Sequence, residues 1–214
     1  MKLITEVTES VSFLTEEENG KKSLYIEGPF LVAEKQNRNG RIYKEPTLAK
    51  EVQRYTEEYI EKNRAFGELG HPETPTINLD RVAILIKKLQ KEGSTWIGKA
   101  KILDTPMGNI ARNLIEGGAQ LGVSSRGMGS LKNVNGVNVV QDDFHLATAA
   151  DIVADPSAPG AFVQGIMESK EWMLVNGVWT EVEYTQAREE IRKASRREIE
   201  EVSLRIFENF IKKL

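Results

Sequence analysis

Hydrophobic and polar positions along this 214-residue chain fall into short stretches of two different periods. Residues 22–33 read as strand material interrupted at Gly28-Pro29. A proline removes a ladder donor, so an edge strand or a bulge is expected there. Asn37-Arg38-Asn39-Gly40-Arg41-Ile42-Tyr43 then carries Asn-Gly, a strong turn signal. From Glu45-Pro46 to about Asn63 the period lengthens. Leu48, Val52, Tyr55, Tyr59 and Ile60 recur at helical spacing, and Pro46 suits a first turn. Residues 81–89 and 95–103 are β-branched runs joined as a hairpin by Lys91-Glu92-Gly93-Ser94. Thr105 before Pro106 caps a second helix, which carries Ile110, Leu114 and Ile115 and stops at Gly117-Gly118. Val134-Asn135-Gly136-Val137 marks another hairpin, and residues 144–155 form a small apolar run ended by Pro156-Ser157-Ala158-Pro159-Gly160.

The two ends read differently. Residues 1–19 place Leu3, Ile4, Val7, Val11 and Leu14 among acids, as in a loosely docked amphipathic arm, a first helix or a frayed terminus. Residues 161–180 give a connection and a hairpin turning at Asn176-Gly177 between Trp172 and Trp179. From residue 182 onward one long charged helix is expected, with Ala187, Ile191, Val202, Ile206, Phe210 and Leu214 as its apolar stripe. Its face is free for a partner, for a second copy or for its own domain. The order of elements predicts an α+β fold: a closed or nearly closed, barrel-like antiparallel sheet surrounded by helices.

Charge and composition narrow the function. The net charge is 29 − 32 = −3, which argues against direct nucleic-acid binding driven by phosphate neutralisation. There is no cysteine, which excludes disulfides, thiol catalysis and Cys-ligated zinc. No run of about 18 apolar residues predicts a membrane-spanning helix. Met1-Lys2-Leu3-Ile4-Thr5-Glu6 is acidic too early for a secretory signal, so synthesis in the cytoplasm is expected.

The candidate chemistry lies in Leu121-Gly122-Val123-Ser124-Ser125-Arg126-Gly127-Met128-Gly129-Ser130. Glycines let a backbone approach a ligand closely, so a serine here can meet a substrate. Serine holds its proton at neutral pH and needs a base within hydrogen-bond reach. One of only two histidines, His71, lies in a second such stretch, Gly67-Glu68-Leu69-Gly70-His71-Pro72. A serine hydrolase also needs a group that orients the base. Asp151 is the first candidate, because a carboxylate inside an apolar run requires a partner. Asp155 and His145 are alternatives for that role, as Ser125 is for Ser124. Oxyanion donors are sought at Arg126 and at the backbone of residues 157–160. No cofactor or metal is required.

These blocks, with Ala149-Ala150-Asp151-Ile152-Val153-Ala154-Asp155-Pro156, resemble those of the prohead core protein proteases of T-even-type tailed phages. The resemblance covers roughly residues 23–165 and includes the turn at 37–43. It implies a fold like the herpesvirus assembly protease, with His71 as base, Ser124 as nucleophile and Asp151 as third member. It also implies an endopeptidase working inside the prohead in the host cytoplasm on phage scaffold and major capsid proteins. Cleavage is then expected after glutamate in Leu/Ile-x-Glu, and Arg126, Arg41 and Arg38 are candidate readers of that glutamate. The chain's own triplets near its ends make Glu6, Glu16, Glu201 and Glu208 candidate self-cleavage positions. The expected organisation is an arm (1–19), a protease domain (20–180) and a helical extension (181–214), assembling as a homo-oligomer. Two other readings stand beside it: a non-enzymatic scaffold module of the prohead core, and a small-molecule esterase or amidase. The absence of a Gly-x-Ser-x-Gly elbow counts against the common form of the last.

Overall fold

In the computed structural model of the chain, residues 2–8, 11–18, 21–37, 39–154, 171–175 and 178–182 are described. In chain order the strands and helices are β1 (Lys2–Thr8), β2 (Ser12–Glu18), β3 (Lys21–Val32), β4 (Arg41–Ile42), α1 (Glu45–Tyr55), β5 (Phe66–Glu68), β6 (Val82–Glu92), β7 (Thr95–Ile102), α2 (Pro106–Glu116), β8 (Gly122–Gly129), β9 (Leu131–Val134), β10 (Val137–Val140), β11 (His145–Val153), β12 (Glu171–Val175) and β13 (Val178–Val182). They form a sheet of order β11-β8-β1-β12-β13, a second of order β2-β3-β7-β6-β5, and a small sheet β4-β10-β9.

The local signals produce the expected local structure. Thr105 caps α2, its Oγ1 accepting from Gly108 N at 3.1 Å. The hairpins β6–β7, β9–β10 and β12–β13 form where the Gly and Asn signals lie. Beyond α1 the helical path widens into one π-turn over Thr56–Ile60. At Pro29 the bulge is found, in a strand that lies between β2 and β7 rather than at the sheet edge. Pairing of β3 with β2 ends at Glu27, and the register against β7 shifts between Pro29 and Leu31.

Two expectations are corrected. Leu3, Ile4 and Val7 fit a helical period, but residues 2–8 and 12–18 are strands. The β-branched content of Ile4-Thr5 and Val7-Thr8, and the pairing partner available in β8, decide for extended structure. The barrel does not close. The two larger sheets meet where Leu69 bridges Ile152 in parallel and Gly70 N donates to Ile152 O at 2.7 Å. Among the described residues, their outer strands β2 and β13 do not pair with each other, so the arrangement stays open. The long helix expected beyond residue 182 lies outside the described residues.

The core runs through both sheets and includes Ile26, Phe30, Tyr55, Ile84, Val123 and Ile152. Along β7, buried and half-buried positions alternate, as in a strand with one face on the core. In β8 all eight residues are buried, because the strand is flanked by β11 and β1 and covered on both faces. Two hydroxyls and a guanidinium are thereby placed in the interior of the molecule.

Candidate active site

Side chains alternate between the two faces of a strand. Ser124 and Arg126 therefore share one face of β8, and Ser125 points to the other. Across the ladder, Ser124 is the register partner of Asp151 on β11. Asp151 is fully buried and its carboxylate is held on three sides. Oδ1 accepts from the Glu68 backbone N–H at 2.8 Å and from Arg126 Nη2 at 3.3 Å. Oδ2 accepts from Arg126 Nε at 2.9 Å. His71 approaches the same Oδ2 through Nδ1, also at 3.3 Å. That approach lies off the hydrogen-bonding direction, and neither ring nitrogen of His71 has a hydrogen-bond partner among the described residues. Catalytic hydrogen bonds are often long or misaligned before substrate arrives. The Ser124 hydroxyl is buried and likewise without a partner among the described residues. An unpaired hydroxyl and an unpaired imidazole thus both stand beside one fixed carboxylate.

His71 reaches this place on the loop between β5 and β6. Leu69 N donates to Arg81 O at 3.1 Å, and Arg81 Nη2 donates to Leu69 O at 2.8 Å, closing the loop at its base. β5 can lie against β11 because Gly67 has no side chain: a Cβ there would stand 2.0 Å from the Ala150 carbonyl oxygen.

The structure redistributes the other sequence candidates. Arg126 is fully buried, and its five N–H groups face Asp151 twice, Glu68 Oε1, Thr74 O and Thr76 O. The oxyanion or substrate role expected for it has no donor left, since a guanidinium has five. His145 is not brought to the site. It pairs with Met128, whereas Asp151 pairs with Ser124, 128 − 124 = 4 positions along β8 and about 13 Å away at the rise of a strand. There its Nδ1 faces Glu51 Oε2 at 4.0 Å. Burial and then the nearby Arg54 charge hold His145 below the ordinary imidazole range, against the opposite pull of Glu51 and Glu58. Arg41 is buried in β4, in a different sheet. Glu16 lies on β2, where Lys99 Nζ binds its carboxylate. Glu6 lies on β1, between β8 and β12. Asp155, residues 157–160, Arg38, Glu201 and Glu208 lie outside the described residues.

Sequence reasoning missed Glu68 and Arg81. Glu68 is fully buried; its Oε1 accepts from Asn78 N at 2.7 Å, and its Oε2 lies 3.4 Å from Arg81 Nε. The available signal was an acid between glycines, three residues before the histidine.

A family model described as prohead core protein serine protease matches residues 6–171. The prohead core protein protease of Enterobacteria phage T4 is 40% identical over 147 residues, which cover 67% of this chain and 69% of that protein. The solved structure of the bacteriophage T4 capsid assembly protease, gp21, matches with a TM-score of 0.68 at 33% identity, over 72% of this chain and 98% of that one. A histidine approaches the carboxylate that is paired across the ladder with a buried serine, on a strand-rich α+β frame, and on these likenesses the chain belongs to the prohead core protein serine protease family.

Proposed function

We propose that this protein is a serine endopeptidase of phage head maturation, with Ser124 as nucleophile, His71 as base and Asp151 as the acid that orients the base. Its substrates are scaffold and capsid proteins inside the prohead, cut after glutamate in Leu/Ile-x-Glu. The observation that carries the assignment is the placement of Ser124 across the ladder from the carboxylate that His71 approaches. Ser125 faces away from that carboxylate by the two-residue period of the strand.

In the reaction, Nε2 of neutral His71 takes the Ser124 proton as Oγ bonds to the scissile carbonyl carbon. Nδ1 faces Asp151, which keeps the tautomer and stabilises the imidazolium. The imidazolium then protonates the leaving amine as the C–N bond breaks. Water attacks the acyl-enzyme with His71 again as base, releasing the acid and restoring Ser124. His71 takes the proton only in its neutral form.

The register of β1 supports self-processing at Glu6. In Ile4-Thr5-Glu6, Glu6 pairs with Ser125 and Val7 with Ser124, so the Glu6–Val7 bond runs beside the nucleophile strand. The test is intact-mass spectrometry of wild type, Ser124→Ala and Ser125→Ala at neutral pH, with a Leu-x-Glu peptide supplied as substrate. Clipping after glutamate in wild type and Ser125→Ala, with a loss of about 10³-fold or more in Ser124→Ala, is expected. Full activity in Ser124→Ala would move the nucleophile elsewhere, and no peptide cleavage by any form would favour a scaffold module.

A further inference from the structure

Glu68 has no part in the mechanism above, yet it is as buried as Asp151. A carboxylate is removed from water at a cost of several kcal/mol unless charges and donors surround it. Its surroundings have one thing in common: they belong to the loop that carries His71, or they hold that loop. Oε1 accepts from Asn78 N at 2.7 Å, beyond the histidine. The same oxygen faces Arg126 Nη2 at 3.3 Å, and Arg126 Nη1 donates to Thr74 O and Thr76 O on the same limb. Oε2 faces Arg81 Nε at 3.4 Å, where the loop closes. On the near side, the backbone N–H of Glu68 donates to Asp151 Oδ1 at 2.8 Å.

We infer that Glu68 is a positioning residue: with Arg126 it forms a buried template on which the loop from 69 to 81 is folded, setting His71 against Asp151. The inference rests on the assignment of His71 as base. The hydrogen bonds from Asn78 N to Glu68 and from Glu68 N to Asp151 are charge-assisted and short, at 2.7 and 2.8 Å, while Arg81 faces Oε2 as an ion pair without a hydrogen bond. A loop has many conformations, and one shift of about 1 Å at a base can cost 10²-fold in rate. Glutamate serves where glutamine does not. An amide keeps one acceptor for Asn78 N–H but turns its NH₂ donors toward a guanidinium.

The chain contains two histidines, which makes their imidazole NMR signals a direct readout. His145→Gln assigns the two, and in every other variant His145 is the internal reference. The expected result for Glu68→Gln is a displaced His71 signal with the His145 signal unmoved. Its kcat on a Leu-x-Glu peptide should fall by about tenfold to a hundredfold, with KM unchanged within about twofold, since Glu68 sets the base and touches no substrate. Arg81→Gln removes the half-exposed partner of Glu68 together with its bond to Leu69 O, so it keeps the test available if Glu68→Gln does not fold, and it should move the same signal. An unmoved His71 signal in the folded variants overturns the inference, whatever the kinetics. Ser124→Ala and His71→Ala, run alongside, judge the parent assignment separately: full activity in either would sink that assignment while the His71 signal still decides the template.

Discussion

Arg126 shows how far a single residue can depart from its sequence reading. Beside Ser124-Ser125 and among glycines it reads as a cation offered to a substrate, but the structure spends all five of its N–H groups on internal acceptors. Arg126→Met would leave Asp151 and Glu68 facing each other with their shared counter-charge gone. A loss of roughly 3–5 kcal/mol in urea unfolding is expected, as for a buried pair deprived of one partner. A loss below about 1 kcal/mol would mean that water replaces the guanidinium. Ser124, His71 and Asp151 were legible as residue types because each has chemistry that its surroundings make unusual. Glu68 was not, since an acid reads as solvated until the fold shows it buried.

Among the elements, β11 is held at both of its ends by groups from outside its own sheet. Near Ile152 it meets the segment that follows β5, and near Leu146 it meets α1. Glu51 Oε2 accepts from Leu146 N at 2.9 Å, and Arg54 Nη2 donates to Leu146 O at 2.8 Å, so two side chains stand in for a missing strand. Glu51→Ala should cost about 1–3 kcal/mol by leaving the buried Leu146 N–H unpaired. At the other end, Gly67→Ala must push β5 off Ala150. A loss of roughly 3 kcal/mol or more and a weakened protease are expected, both measurable by thermal unfolding and peptide cleavage. The His145 environment adds a pH term. Its folded-state affinity for a proton is lowered, so the unfolded chain binds the proton more readily. The stability it contributes is present above about pH 6.5 and is lost as pH falls below that value. His145→Gln should flatten that part of the stability–pH curve; an unchanged slope would place the titration elsewhere. Helices and hairpins were readable because caps, Gly-Gly stops and Asn-Gly turns are local signals. The strand order, the pairing of β1 with β8 and the open barrel were not, because each depends on partners far apart in the chain: 101 − 25 = 76 positions for β3 and β7, 152 − 69 = 83 where the two sheets meet, and 129 − 2 = 127 for β1 and β8.

At the scale of the molecule, the two candidate self-cleavage bonds in the described residues belong to different sheets. Glu6 lies alongside β8, the strand that carries Ser124, in its own chain, whereas Glu16 sits on the outer strand of the other sheet under Lys99. Clipping after Glu6 should therefore be intramolecular and clipping after Glu16 should require a second copy. On dilution by about tenfold, the first-order rate after Glu6 should stay constant while that after Glu16 falls about tenfold. A fall in both would show that β1 is cut by neighbours.

β1 is the middle strand of its sheet, with two strands on either side. A peptide severed there loses the chain connection that aligned it, and its departure leaves β8 and β12 without the neighbour they were folded against. Refolding cannot restore that state, because the fragment returns only at the concentration of a free peptide. The cut would act as a one-way clock: each molecule can record that maturation has begun, and none can be reset.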